Sequence, residues 1–275
     1  MNEPSWHDQQ YLPSLTLPDT GSIVETWKSR AAATRANLPF VGDIPYGPHP
    51  REVMDFFPAE NAHGCVIYIH GGYWRAFSKY ETSWVADGFV AQGLSVALIN
   101  YPLCPEVTIA EIRTSCIEAF VHLYQNNLSA AEREALVVTG HSAGGYLAAA
   151  HITQNWAAHS LPQNPIAGVI SLSGVFDVEP LKETSLNVDL RLDAPQAQAL
   201  NLNTMRMRAN ARLVLAVGQN ESDEFHRQSS SLVESWASLS PQLVEVPAAN
   251  HYTILDDLAS PTGQLNRLAV AMAHR

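Results

Sequence analysis

Gly140-His141-Ser142-Ala143-Gly144 is a G-x-S-x-G pentapeptide set between an apolar run, LVVTGH at 136–141, and a stretch of good helix formers, SAGGYLAAAHI, that starts at Ser142. A nucleophile elbow occupies this setting, because its glycines permit the strained strand–turn–helix that lifts a serine hydroxyl above the carboxyl end of a sheet. The plainer alternative is a serine capping a helix after a tight turn. A serine hydroxyl is a poor nucleophile near neutral pH and needs a base, which in turn needs an orienting carboxylate. In this type of elbow the chain order is serine, acid, histidine. Of the downstream histidines His151, His159, His226, His251 and His274, only His251 follows a late apolar run in a short loop, VPAANHYT. The others fall on predicted helices or near their ends and read as core or surface residues. For the acid, the loop after RLVLAVG at 212–218 holds Glu221 and Asp223. Glu221 stands at the loop tip and is preferred. Asp223 is also explained as a negative charge in the first turn of the following helix, and stays open as the alternative. The reaction also needs donors for a developing oxyanion. His70-Gly71-Gly72-Tyr73-Trp74 follows the first strong apolar run, and its glycines let backbone N–H groups turn toward the nucleophile, joined by the N–H of Ala143. A simple Gly-Gly turn is the bland account of the same residues. His70 precedes the acid and is expected to brace the loop.

These residues need a scaffold. CVIYIH at 65–70, LSVALINY at 94–101, LVVTGH at 136–141, IAGVISLSG at 166–174, RLVLAVG at 212–218 and QLVEV at 242–246 read as buried strands. Between them, 78–92 has helical spacing, and Thr108-Ile-Ala-Glu111 is a capping box opening an amphipathic helix through Ile112, Cys116, Phe120 and Leu123. Further helices are predicted at 223–239 and 262–273. Strands alternating with helices indicate a mainly parallel sheet covered on both faces, one α/β domain spanning 1–275. Residues 1–50 read as an N-terminal extension with a helix near 22–36 and a Pro-rich crossing, leading into REVMDFF as an antiparallel edge strand. Residues 177–210 read as a small helical insertion over the sheet and the site.

Composition narrows the rest. Sixteen Lys and Arg against 27 Asp and Glu give a formal charge of −11, which repels a phosphate backbone and argues against a nucleic-acid partner. No run reaches the roughly 18 apolar residues of a membrane span, and the first twenty residues lack a basic and then apolar leader, so a cytoplasmic protein without membrane association is expected. Cys65, Cys104 and Cys116 are an odd number without Cys-x-x-Cys spacing, so reduced thiols are expected. Eleven histidines raise the question of a metal, but no H-E-x-x-H or related spacing occurs, and no metal or other cofactor is expected. The oligomeric state, monomer or homodimer, is left open.

At HGGYW, GHSAGG, SLSGVFDVEPL (171–181), VGQNESDEFHRQS (217–229) and NHYTILDDL (250–258), the sequence resembles the kynurenine formamidase (arylformamidase) family of α/β-hydrolases, from about residue 20 onward. HGG-x-W is characteristic of that family, whereas related hormone-sensitive-lipase-like esterases carry HGGG. The resemblance implies Ser142 as nucleophile, His251 as base and Gly72 and Tyr73 as backbone donors. Glu221 falls where the family has aspartate, a departure that keeps Asp223 in view. The implied reaction is hydrolysis of N-formyl-L-kynurenine to kynurenine and formate. Its small acyl group suits a pocket narrowed by Trp74 and Tyr73, with the aryl part lying against Phe176 or Tyr101 and the substrate carboxylate meeting Arg75, Arg191 or Arg206. Core packing is the plain reading of Phe176 and Tyr101, and a solvated surface that of each arginine. The rival activities are a carboxylesterase acting on short-acyl esters or carbamates and, in another class, an inactive hydrolase fold used for binding.

Overall fold

The computed structural model describes residues 4–274. Eight strands form one sheet: β1 (Val41–Pro45), β2 (Val53–Phe57), β3 (Gly64–Ile69), β4 (Leu94–Ile99), β5 (Leu136–His141), β6 (Gly168–Leu172), β7 (Arg212–Gly218) and β8 (Gln242–Val246). Their spatial order is β1-β2-β4-β3-β5-β6-β7-β8. β2 pairs antiparallel with both β1 and β4, and every later pairing is parallel. The apolar runs at β3, β4, β5 and β6 are buried along their whole length because helices cover both faces. Alternate residues feed two cores: Cys65, Ile67 and Ile69 of β3 point to one, Val66 and Tyr68 to the other.

After β3 the chain adds β4 on one side and then crosses back to β5 on the other. The crevice at that reversal, outside the carboxyl ends of parallel strands, is where an open α/β sheet holds a ligand. The loops after β3, β5, β7 and β8 all leave the sheet at this edge.

Three readings of the sequence are corrected. REVMDFF is not the edge strand; β2 is covered by β1, drawn from the Pro-rich crossing, and Pro45 is tolerated there because an edge strand has a free side. Residues 78–92 form no continuous helix but the succession Lys79–Thr82, the 3-10 turn Ser83–Ala86 and Asp87–Val90. The predicted helix at 223–239 ends at Ser235 and is followed by a 3-10 turn at Ala237–Leu239. The capping box opening helix Ile109–Asn126 is formed as its spacing predicts. The insertion folds as a 3-10 turn Glu179–Glu183 and helices Asn187–Leu190 and Ala194–Leu200.

The N-terminal region folds as helices Trp6–Tyr11, Pro13–Thr16 and Thr20–Asn37. Tyr11, wholly buried, donates its hydroxyl to Glu224 and accepts from Gln228 Nε2 at 3.1 Å, both on helix Asp223–Ser235. Ser222 donates to the Gln10 carbonyl at 2.6 Å. Beyond it, helix Thr20–Asn37 buries Trp27, Ala31 and Thr34, one face of the helix at i, i+4, i+7. Arg30 on this helix pairs with Asp256 at 2.5 Å and lies over the Trp84 ring. The three cysteines are buried and free. No helix among the described residues is long and apolar enough to cross a membrane.

Candidate active site

Ser142 stands at the tip of the β5 turn with φ 56° and ψ −118°, a strained conformation for a residue with a side chain. The turn is held from three sides. The Ser142 N–H donates to the Leu172 carbonyl at 2.8 Å, its carbonyl accepts from the Tyr146 N–H at 3.1 Å, and Gly144 lies so close to β3 that a Cβ there would come within 2.0 Å of the Ile69 oxygen. Ala143 opens helix Ala143–Ala150, so its N–H has no partner one turn earlier and faces out of the helix end.

His251 leaves the loop after β8 and presents Nδ1 to Glu221 Oε2 at 2.7 Å. The other carboxylate oxygen accepts from Ser173 Oγ at 2.6 Å and from the Gly218 N–H at 2.7 Å. Three donors on this fully buried carboxylate hold its plane. Glu221 reaches this position because its loop turns tightly, with its own N–H on the Gly218 carbonyl at 3.0 Å, and the longer side chain folds back over the strand end. Asp223 instead lies exposed in the first helical turn. Of the two acids left open by the sequence, the structure brings Glu221 to the histidine. In the tautomer that donates Nδ1–H to Glu221, Nε2 is the acceptor nitrogen of the ring.

His141, the variable residue of the G-x-S-x-G motif, was not anticipated. Its Nε2 lies 2.7 Å from the His251 carbonyl, and the two rings are 4.7 Å apart. An acceptor at that distance places the proton on Nε2. Burial holds this imidazole well below its usual pKa, and the neighbouring His251 lowers it further, so it is a neutral anchor. One strand end thereby positions both Ser142 and the backbone of His251.

In the loop after β3, Gly72 has φ 103° and its carbonyl accepts the N–H groups of Arg75 and Ala76 at 3.0 Å each. A side chain at 72 would be strained and would collide with the Ala76 carbonyl. Tyr73 and Trp74 follow with φ 48° and 55°. His70 braces the loop as expected: its Nδ1 bonds the Gly71 carbonyl at 2.8 Å, and its ring stacks on Tyr101 with centroids 4.2 Å apart. Burial drops its pKa to about 3, which keeps it out of proton transfer. The Tyr73 hydroxyl donates to the Tyr11 carbonyl, joining this loop to the N-terminal helices.

A cavity of about 400 Å³ collects Ser142, His251, Gly71, Gly72 and Tyr73. Its aromatic and apolar wall is not the one expected. Trp74 is wholly buried with its ring edge-on to Tyr146, Phe176 is wholly buried, and Tyr101 serves the His70 brace. None of the three lines the cavity. Trp27, Phe77 and Tyr252 do, with Leu12 and Val24 from the N-terminal helices and Leu186 from the insertion. Roofing of the site thus falls mainly to the N-terminal region, with 177–210 adding Leu186 beside the mouth. The helix at 22–36 was legible in the sequence; what it covers was not. Of the three arginines considered, Arg75 lines the cavity, whereas Arg191 lies in a separate groove and Arg206 is exposed. Among the described residues no cluster of three His, Cys, Asp or Glu side chains is placed to hold a metal ion.

Residues 66–257 match a family of α/β-hydrolase fold. The kynurenine formamidase of Salmo salar is 30% identical over 251 residues, which cover 84% of this chain and 81% of that protein. The chain belongs to the kynurenine formamidase family. It is a hydrolase. The kynurenine formamidase of Danio rerio is 27% identical over 96% of this chain and 94% of its own. Among solved structures, a candidate thioesterase from Silicibacter sp. tm1040 superposes with a TM-score of 0.88 at 30% identity, covering 96% of this chain and 99% of its own. Esterase B from Lactobacillus rhamnosis, 17% identical with a TM-score of 0.66 over 92% of this chain and 95% of its own, shares the fold. Within the kynurenine formamidase family, glutamate in place of the aspartate implied by the resemblance is accommodated here by the tight turn at Gly218–Glu221.

Proposed function

We propose that this protein is a serine hydrolase that cleaves an aryl formamide, N-formyl-L-kynurenine, to kynurenine and formate through a formyl-enzyme. The observation that carries the mechanism is the 2.7 Å contact of His251 with a three-fold hydrogen-bonded Glu221 in the loop beside the strained Ser142. The names of the salmon and zebrafish relatives support the substrate. His251 Nε2 takes the Ser142 proton as Oγ attacks the formyl carbon. The N–H groups of Ala143, Gly72 and Tyr73 receive the oxyanion, the Ser142 N–H being already bonded to Leu172. Imidazolium then protonates the departing arylamine nitrogen as the C–N bond breaks. Water, deprotonated by the same histidine, attacks the formyl ester, and the imidazolium returns that proton to Ser142 Oγ as the ester C–O bond breaks and formate leaves. Trp27, Phe77 and Tyr252 supply aromatic surface for the aryl ring.

The Silicibacter structure favours a second reading, hydrolysis of short-acyl esters or thioesters by the same residues. Measuring kcat/KM for N-formylkynurenine beside p-nitrophenyl acetate separates the two, and an ester preference of about a hundredfold or more overturns the formamidase reading. Covalent labelling by a fluorophosphonate, lost in Ser142→Ala, is expected. A protein that fails to label and turns over no acyl substrate is a binding module instead.

A further inference from the structure

Apart from the histidines, two side chains that line the cavity carry a charge, Glu25 and Arg75. Glu25, from helix Thr20–Asn37, is already paired with Lys28 at 2.7 Å. Arg75, from the loop after β3, is the one Lys or Arg lining the cavity among the described residues. It bonds Asp189 of the insertion through a single guanidinium nitrogen, and both partners are partly exposed. A guanidinium holds five donors in a planar fork, so a contact through one nitrogen leaves capacity for a second acceptor. In a chain with an excess of eleven negative charges, an anionic substrate entering this cavity meets one local cation, two residues beyond the loop tip at Tyr73.

We propose that Arg75 is the specificity-determining residue for a substrate carboxylate, and that Asp189 is the carboxylate it holds until substrate arrives. The inference rests on the aryl-formamide reading above and names the feature of the substrate that this hydrolase reads: an anionic amino-acid tail carried beyond the aryl ketone. Entry exchanges one carboxylate for another on the same guanidinium, and Asp189, at the surface, returns to water. The exchange makes no covalent bond and leaves the reacting groups untouched. It therefore acts on KM rather than on the chemical step.

The test compares three substrates with one reacting group: N-formyl-L-kynurenine, N-formylkynurenamine, which lacks the carboxylate, and 2-formamidoacetophenone, which lacks the whole tail. In the wild type the carboxylate is expected to raise kcat/KM by about ten- to a hundredfold, the range of one charge-assisted hydrogen-bonded contact. Arg75→Gln is expected to reduce the ratio of the first substrate to the other two at least tenfold through KM, and Arg75→Lys to restore part of it. Asp189→Asn is expected to move the other way, lowering KM for N-formyl-L-kynurenine, since it removes the competing carboxylate. A merely structural tie between loop and insertion predicts that both variants lose activity on all three substrates alike. That result, or a wild type indifferent to the carboxylate, overturns the proposal. Absence of turnover on all three formamides by the wild type overturns the formamidase reading itself, an outcome distinct from indifference among them.

Discussion

Glu221 differs from its neighbour Asp223 in what surrounds it. Its carboxylate is buried against Ser173 Oγ, the Gly218 N–H and His251 Nδ1, whereas Asp223 is exposed on a helix. Glu221→Ala is expected to lower kcat by about 10³- to 10⁴-fold, as loss of a triad carboxylate does, while Asp223→Ala stays within about twofold. Single-turnover hydrolysis of N-formylkynurenine by the two variants decides between them. His141 offers a second check. Replacing it with phenylalanine keeps the ring but removes the Nε2 bond to the His251 carbonyl, so kcat is expected to fall about two- to tenfold, the worth of one hydrogen bond, with fluorophosphonate labelling of Ser142 retained but slower. The sequence singled out Ser142 and His251 by their spacing from strand ends, and the structure brings both to one cavity. The sequence left two acids because both are near the strand end, and only the turn at Gly218–Glu221 distinguishes them. His141 gave no signal: a variable motif position acquires a partner 110 residues away only in the folded chain.

At the level of elements, the strands were readable because each is a short apolar run buried on both faces, and the capping box fixed the start of helix Ile109–Asn126. What escaped was contact between elements distant in sequence. Trp74 and Phe176 sit beside catalytic motifs in the chain yet point into the core, whereas Trp27, far upstream, reaches the cavity. The N-terminal helices are tied to the loop after β3 through the Tyr73 hydroxyl and the Tyr11 carbonyl. Tyr73→Phe removes that tie while keeping the backbone N–H proposed to serve the oxyanion. A fall in kcat of roughly two- to tenfold, with little change in Tm, is the expected result. An unchanged kcat means that the N-terminal helices cover the site without steadying it.

The molecule as a whole carries an acid sensitivity in its core. His70, His141 and His151 are buried with their pKa values pushed down, to about 3 for His70 and about 4 for His151 and well below the ordinary value for His141, chiefly because burial disfavours the charged ring. In the unfolded chain each titrates near 6.5. Between that pH and the folded values the unfolded chain binds protons that the folded one refuses, so stability is full above about 6.5 and falls as the solution is acidified. His70 and His151 are each expected to remove roughly 2 kcal/mol by pH 5, and His141 acts in the same direction. Urea denaturation at pH 7.5 and pH 5 measures the drop, and His151→Phe, which leaves the site alone, is expected to reduce it by roughly 2 kcal/mol; a flat profile in the wild type excludes this account. The parallel sheet adds a consequence in time. Tyr11 finds Glu224 across 213 residues of chain, and the cavity that its neighbour Leu12 lines needs the loops after β3, β5 and β8. Helix Trp6–Tyr11 is made before helix Asp223–Ser235 and must therefore wait, unpartnered, until that helix has followed it. Nascent chains halted before helix Asp223–Ser235 emerges are accordingly expected to expose helices Trp6–Tyr11 and Thr20–Asn37 to protease and to lack hydrolase activity, with protection and turnover arriving together once that helix and the loop carrying His251 have emerged.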